Sequence, residues 1–220
     1  MAEQKELTHK KIFLVFIPAL LLGSLALFIQ IIRYQPLYPD PITPPPTEDD
    51  RPFIIKLNPD DPVLGNKRAP HTIVAFEDFS CGNCLTQHRL FTSLQAQYPD
   101  KVKIIWKGLP VQEFPYSSLD SIRYGYCAAE QNKFNEFASY AFENYTNLVI
   151  ETLDIISEEV ALDETDLAEC LSSTRPNQWV QDTKQIAQTL NVRSVPTFFI
   201  NNIQIKTPGS IEEWKQLFNL

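Results

Sequence analysis

Basic residues are scarce in this chain. Its 220 residues include 19 lysines and arginines against 27 aspartates and glutamates, which gives a formal net charge of −8. The first 33 residues are locally basic, so the remainder alone carries −10. A protein that binds nucleic acid needs a basic face to neutralise the phosphates. The composition therefore argues against nucleic acid as a partner, and the acidity is that of a soluble protein surface.

Glycine and cysteine are also rare, with six and four residues, and no internal repeat is visible. The 17 prolines, in contrast, are unevenly placed and include the run Pro44-Pro45-Pro46. We predict a Pro-rich linker over residues 34–51, in which extended polyproline II would act as a spacer. A disordered tether is the alternative. Residues 52–220 are long enough for one ordinary domain.

Charge is absent from residues 12–32, a stretch of 21 residues. As a helix it would be roughly 32 Å long, enough to cross a hydrocarbon core of about 30 Å. Lys10 and Lys11 precede it, so the positive-inside rule places the N-terminus in the cytoplasm. We predict a cytoplasmic tail over 1–11, a single transmembrane anchor over 12–33 and an exported domain, which makes this a single-pass protein of the cell membrane. A cleaved signal peptide is the alternative, although its apolar region is usually shorter, about 7–15 residues.

The rest of the chain alternates strand and helix patterns. Strands are predicted at 53–57, 71–76, 101–106, 198–200 and 203–205, and helices at 85–98, from 117 to about 190, and after Ser210. Ser210 with Glu213 three residues later matches a capping box. A strand, a helix and a strand joined by short connections imply a parallel pair with a right-handed crossover. The sequence thus predicts an α/β fold with a helical block at about 116–190.

Two of the four cysteines, Cys81 and Cys84, lie between a predicted strand and a predicted helix. Unpaired N–H groups and the helix dipole favour an anion at a helix N-terminus, which would lower the pKa of the Cys81 thiol. Cys84 follows one turn later, within disulfide reach, and should be the more buried. This pair predicts a redox centre. A structural disulfide or half of a zinc site is the alternative, but zinc would need two more ligands, and Cys127 and Cys170 are not spaced as a second pair.

A further feature is the proline that precedes the apolar strand near the C-terminus. Pro196 has no N–H to donate to a sheet, and on its own it indicates only a turn or loop. Together, however, the motifs Phe76-x-Asp78-Phe79-x-Cys81-x-x-Cys84 and Val195-Pro196-Thr197-Phe198-Phe199 resemble the DsbA-like branch of the thioredoxin superfamily. The resemblance covers about Pro52 to Leu220.

This resemblance implies a thioredoxin-like fold in which the helical block is an insertion. It implies that Pro196 is in the cis form beside the active-site sulfurs. Val195 and Pro196 would then line the groove where a substrate cysteine binds. It also implies catalysis by Cys81 and Cys84 without a metal or an organic cofactor.

Two positions depart from the family pattern. Gly82 and Asn83 stand between the cysteines where strongly oxidising members have Pro-His, and Asn83 offers the thiolate a hydrogen bond but no charge. Many relatives also carry a buried acid six residues before the first cysteine, where this chain has Ala75. The nearby Glu77 is not assumed to replace it. We therefore expect a less extreme oxidant.

The other two cysteines, Cys127 and Cys170, fall in two different predicted helices. In an oxidising compartment they would form a structural disulfide across the helical block. Two separate buried thiols are the alternative. Neither residue lies at a predicted helix start, so a second catalytic pair is not expected.

The sequence thus predicts a membrane-anchored thiol–disulfide oxidoreductase that introduces disulfide bonds into exported proteins. Its partners would be cysteine-containing exported proteins and a membrane protein that reoxidises the pair, resembling DsbB or vitamin K epoxide reductase. One alternative is a reductase or isomerase of the same fold. Another is a non-catalytic module that binds peptides in the groove near Pro196.

Overall fold

The computed structural model describes residues 14, 17–18, 20–31, 54–113 and 115–220. The chain forms two compact units, Met1–Arg51 and Pro52–Leu220. In the first unit, residues 20–31 are helical with exposed side chains. Within the described ranges, no helix combines the length and the apolar character needed to cross a membrane. The predicted anchor over 12–33 extends past the described residues, and the predicted tail over 1–11 and linker over 34–51 lie outside them.

The second unit is built around a five-stranded mixed sheet. Its strands are β1 (Val63–Leu64), β2 (His71–Glu77), β3 (Val102–Gly108), β4 (Thr197–Ile200) and β5 (Ile203–Ile205). The order across the sheet is β1-β3-β2-β4-β5. Strands β2 and β3 are parallel, as the strand–helix–strand pattern predicts, and the other neighbouring pairs are antiparallel.

The helices of the second unit fall into one connecting helix, a block of five and a terminal helix. They are α1 (Gly82–Gln97), α2 (Leu119–Glu130), α3 (Phe134–Glu143), α4 (Ile150–Glu159), α5 (Glu164–Ser172), α6 (Arg175–Thr189) and α7 (Ile211–Phe218). Helix α1 connects β2 to β3, and α2 to α6 form the predicted helical block. The hydroxyl of Ser210 accepts the N–H of Glu213 at 3.2 Å, so α7 begins with the predicted cap.

Side chains of β2 alternate between the two faces of the sheet. Ile73 and Ala75 are completely buried on one face, in the larger core cluster that also takes residues from α1, the helical block and α7. Val74 and Phe76 are buried on the other face, together with Ala187 of α6. Because β2 lies between β3 and β4 and is covered on both faces, its central residues, 73–76, are all apolar.

The predicted strand at 53–57 is wrong, since residues 54–57 are not in a strand and β1 lies further along the chain. Ile55 is buried, whereas Ile54 and Leu57 are exposed, so the segment does not keep the alternation of a strand. The N–H of Ile55 donates to the side chain of Asn202 at 3.0 Å and not to a neighbouring backbone. The burial of Ile55 therefore shows which side of the segment faces the core, although the segment does not pair with a strand.

A disulfide bond and an ion pair are among the contacts that join helices of the block. Cys127 of α2 and Cys170 of α5 are joined by a disulfide bond with an S–S distance of 1.97 Å, and both are buried. At the surface, Arg175 of α6 donates two hydrogen bonds of 3.0 Å to the carboxylate of Glu130 at the end of α2. The disulfide bond thus joins α2 to α5, and the ion pair joins α2 to α6.

Candidate active site

Cys81 is the N-cap residue of α1. Strand β2 ends at Glu77, and in the short turn that follows the N–H of Cys81 donates to the carbonyl of Asp78 at 3.1 Å. The sulfur of Cys81 then accepts the N–H of Cys84 at 3.2 Å, a role that an N-cap hydroxyl or carboxylate usually fills. The turn at the end of β2 thus places the sulfur of Cys81 at the N-terminus of α1.

The two cysteines of the pair have opposite properties. Both are free thiols; Cys81 is half-buried and Cys84 is completely buried. The side chain of Cys84, helped by the backbone N–H groups of Cys84 and Asn83, lowers the pKa of Cys81 from 9.0 to about 7, against the opposing effects of partial burial and of Asp78. Burial, and next the side chain of Cys81, raise the pKa of Cys84. At neutral pH a substantial fraction of Cys81 is therefore thiolate, while Cys84 is a buried thiol.

The loop before β4 lies against the same sulfur. Thr197 of β4 pairs with Phe76 of β2, which brings the residues before β4 to the end of β2. The thiol of Cys81 donates to the carbonyl of Val195 at 3.8 Å, and the peptide bond between Val195 and Pro196 is cis. The structure thus brings Val195 and Pro196 to Cys81.

Glu77, the last residue of β2, is a completely buried acid beside the cysteine pair. Neither of its carboxyl oxygens has a hydrogen-bond partner among the described residues. Burial, and next the charge of Cys81, raise the pKa of Glu77 to about 8, against a smaller opposing effect of Trp106. Glu77 follows Ala75 by two residues, so both lie on one face of β2. That spacing is a signal in the sequence that places Glu77 on the same face of β2 as Ala75, where a buried acid was expected.

Asp78 is equally buried but well hydrogen bonded. One of its carboxylate oxygens accepts the N–H of Ser80 at 2.9 Å. The other accepts the N–H of Val111 at 2.8 Å and the hydroxyl of Ser118 at 2.6 Å. These bonds tie the turn before Cys81 to the segment between β3 and α2, a role that the sequence did not reveal.

Between the cysteines, Gly82 and Asn83 are exposed on the first turn of α1. Asn83 acts on Cys81 through its backbone N–H. A Cβ atom at Gly82 would lie 3.3 Å from the ring of Tyr145, which follows α3. Glycine at this position therefore leaves room for an aromatic side chain of the helical block.

The remaining cysteines are not part of this site. Cys127 and Cys170 are bonded to each other inside the helical block. Among the residues that the structure describes, no three His, Cys, Asp or Glu side chains are grouped as ligands of a metal ion. The chemistry available at the site is that of the Cys81–Cys84 pair and the buried acid Glu77.

Residues 57–219 match the sequence pattern of the family described as Thioredoxin. This chain belongs to the thioredoxin family. The match spans the five strands, the seven helices and the cysteine pair described above, and it confirms both the predicted superfamily and the thioredoxin-like fold of the second unit.

Thioredoxin-family relatives of this chain occur in longer proteins. The chain is 27% identical over 167 residues to the Na⁺/H⁺ antiporter NhaA 1 of Mycolicibacterium vanbaalenii, and the match covers 74% of this chain and 25% of the antiporter. It is also 27% identical over 177 residues to the "Putative protein-disulfide oxidoreductase" of Rickettsia felis, and this match covers 74% of this chain and 63% of that protein. The chain thus spans less than two thirds of the length of either relative.

A solved structure shows the same fold. The thiol-disulfide exchange protein α-DsbA2 from Wolbachia pipientis matches with a TM-score of 0.64 and 18% sequence identity, covering 72% of this chain and 86% of that one. At this identity the likeness shows a shared fold.

Proposed function

We propose that this protein is a thiol–disulfide oxidoreductase that introduces disulfide bonds into exported proteins. The observation that carries the proposal is the asymmetry of the cysteine pair. Cys81 is partly exposed at a helix N-terminus with a pKa of about 7, whereas Cys84 is buried with a raised pKa. In a disulfide between them, the sulfur of Cys81 is the one that an incoming thiolate reaches.

The reaction starts from the oxidised pair. A substrate thiolate attacks the sulfur of Cys81, which forms a mixed disulfide and releases Cys84 as a thiolate that takes up a proton. A second substrate thiolate attacks the substrate sulfur of the mixed disulfide and releases Cys81, whose low pKa makes it a good leaving group. Two electrons pass from the substrate dithiol to the cysteine pair, and the two thiol protons go to Cys84 and to Cys81 or the solvent.

Glu77 exchanges the proton with Cys84. Its carboxyl group is buried beside the pair and is mostly protonated at neutral pH, because its pKa is about 8. Ionised Glu77 would in turn raise the pKa of Cys84, so the two groups are coupled. Burial keeps bulk water away from Cys84. A protonated Glu77 is therefore the proton donor when Cys84 leaves the disulfide as a thiolate.

The proposed location is the outer side of the cell membrane, with residues 12–33 as the anchor. The uncharged stretch over 12–32, preceded by Lys10 and Lys11, supports this location. The disulfide between Cys127 and Cys170 supports it as well, because structural disulfides persist in oxidising compartments. Exported proteins with free cysteines would be the substrates, and a membrane protein resembling DsbB or vitamin K epoxide reductase would remove the two electrons.

A reductase or isomerase is the second candidate, and the pKa of Cys81 favours it. A value of about 7 resembles that of thioredoxin, whereas the strong oxidant DsbA has a pKa of about 3.5. Gly82 and Asn83 bring no positive charge to the thiolate, in keeping with this value. The direction of net electron flow separates the two candidates.

Trapping of the mixed disulfide tests the exchange chemistry itself. Cys84→Ser in the full chain lacks the resolving thiol, so it should accumulate an adduct on Cys81 when mixed with a disulfide-bonded peptide. Mass spectrometry detects the adduct, and dithiothreitol should remove it. Cys81→Ser should form none. A non-catalytic binding module predicts peptide binding without any adduct in either variant, and that result would contradict the proposal.

A further inference from the structure

An aromatic residue of the helical block lies against the first turn of α1. The ring of Tyr145 is 3.3 Å, and its hydroxyl oxygen 3.7 Å, from the position of a Cβ atom at Gly82. Tyr145 is half-buried and packs against the main core cluster, as Cys81 does. The remaining surface of Tyr145 is therefore available beside the residue that directly follows the reactive cysteine.

Contacts between α1 and α3 hold Tyr145 in this place. Arg89 of α1 donates two hydrogen bonds, of 2.9 and 2.6 Å, to the carboxylate of Glu143, the last residue of α3. The ring of Phe142 lies 4.7 Å from the ring of His88 between centroids. The N–H of Tyr145 donates to the carbonyl of Phe142 at 3.2 Å. The end of α3 is thus fixed to α1, and a tight turn then presents Tyr145 to the start of the same helix.

Two segments therefore lie close to Cys81 and the residue that follows it. One is the loop that places the carbonyl of Val195 at 3.8 Å from the sulfur, and the other is the turn that places Tyr145 on Gly82. A small thiol can reach the sulfur with few other contacts. A polypeptide cysteine, in contrast, brings its neighbouring residues against these segments. Any preference among polypeptides must therefore arise from the surfaces that line this approach.

We propose that Tyr145 is a specificity-determining residue, which contacts the side chain next to the reacting cysteine and favours polypeptides that carry a large apolar residue there. Aromatic side chains are frequent anchors at recognition surfaces, because they offer a large, rigid contact area. The inference rests on the proposed exchange activity and adds to it the class of substrate. Arg89 and Glu143 are positioning residues, since they act only through Tyr145.

The test compares rates of thiol oxidation by the oxidised full chain in mild detergent. The substrates are dithiothreitol and two reduced dicysteine peptides that differ only beside the cysteines, one with Phe and one with Gly. In each case the Cys81–Cys84 disulfide is the oxidant, so no other reagent is required. Tyr145→Ala should lower the ratio of the Phe-peptide rate to the dithiothreitol rate by about three- to tenfold. The ratio for the Gly peptide should fall by less than twofold.

Further variants distinguish a direct contact between Tyr145 and the substrate from a general effect on the stability of the fold. Arg89→Ala should lower the Phe-peptide ratio in the same direction but less. Arg175→Ala, which breaks the matched surface pair with Glu130, should leave the ratio unaltered. Gly82→Ala should lower the ratio when Tyr145 is present, because the new Cβ atom crowds the ring, and should add no further loss in the Tyr145→Ala background.

Two outcomes would overturn the inference. In one, Tyr145→Ala retains the wild-type ratio for the Phe peptide. In the other, it lowers the rates with dithiothreitol and with both peptides equally, which would mean that Tyr145 acts on Cys81 and not on the substrate. A wild-type chain that oxidises neither peptide nor dithiothreitol would instead overturn the proposed exchange activity, and the inference with it.

Discussion

The backbone N–H of Cys84 donates a hydrogen bond to the sulfur of Cys81 at 3.2 Å. Cys81, the residue that reacts in the proposed exchange, is therefore also the cap of its own helix. A serine or an aspartate at an N-cap makes this bond with a side-chain oxygen atom that takes no part in a reaction. In α1 the acceptor is the atom that reacts, so the interaction that starts the helix also stabilises the thiolate.

Alkylation of Cys81 should follow a titration near neutral pH. The thiolate is the nucleophile, so the rate with iodoacetamide should reach half its maximum at about pH 7. Cys84→Ala should move this midpoint upward, because the side chain of Cys84 is the largest cause of the lowered pKa. Rates measured on the reduced full chain between about pH 5 and pH 9 give both midpoints. A wild-type midpoint near 9 would contradict the proposed role of the helix N-terminus.

Glu77→Gln should flatten the pH dependence of stability in the reduced protein. The pKa of Glu77 is about 8 in the folded chain, above the ordinary 4.5, so the folded chain keeps a proton that the unfolded chain loses. The resulting stabilisation is complete below about pH 4.5 and is lost as the pH rises through about 8, a change on the order of 3–5 kcal/mol. Urea unfolding at about pH 5 and pH 8 measures it. The exposed Glu136→Gln is the control and should keep the wild-type slope, whereas the same slope in Glu77→Gln would show that Glu77 ionises normally.

Lys107→Met should destabilise the fold strongly. The ammonium group of Lys107 donates to Asp61 at 2.6 Å, the indole N–H of Trp179 donates to Asp61 at 2.9 Å, and the ion pair is almost completely buried. Removing the lysine leaves a buried carboxylate whose partners are the N–H groups of Trp179 and Asn58, without a compensating charge, at a cost of about 3–5 kcal/mol in the free energy of unfolding. A Lys107→Met/Asp61→Leu double variant should regain much of this loss in urea unfolding. An equal loss in both variants would contradict an origin in the unpaired charge.

Replacing both Cys127 and Cys170 by alanine should lower stability without altering the reactive pair. The bond joins residues that are 43 positions apart, and closing such a loop restricts the unfolded chain by about 4 kcal/mol. Urea unfolding measures the loss, and the alkylation midpoint of Cys81 should remain the same. A shifted midpoint would show that the helical block controls the thiolate through this bond.

The parts of the site that could be predicted from sequence have local or periodic signals. The spacing of Cys81 and Cys84 after an apolar strand was sufficient to predict a helix that begins at the pair. Asn201 and Asn202 are the two residues between the predicted strands 198–200 and 203–205, and both have the positive φ angles of a tight hairpin turn. Such features depend on a few neighbouring residues.

The parts that could not be predicted depend on which distant segments meet. Tyr145 lies on Gly82 because the end of α3 is bound to α1, and nothing near either residue in the sequence indicates this contact. Ile55 lies in an apolar segment that resembles a strand, yet its backbone N–H bonds to the side chain of Asn202, 147 residues away. Glu77 was not assumed to replace the acid missing at Ala75, because Glu77 and Asp78 alternate around the strand end.

The reduction potential of the Cys81–Cys84 pair tests the proposed direction of the reaction most directly. It is measured with the full chain equilibrated in glutathione buffers and quenched with an alkylating agent. The proposal predicts a potential between about −180 and −120 mV, the range that extends from protein disulfide isomerase to DsbA, with the oxidised form less stable than the reduced form. A potential close to that of thioredoxin, about −270 mV, would contradict the introduction of disulfide bonds and would assign the protein as a reductase.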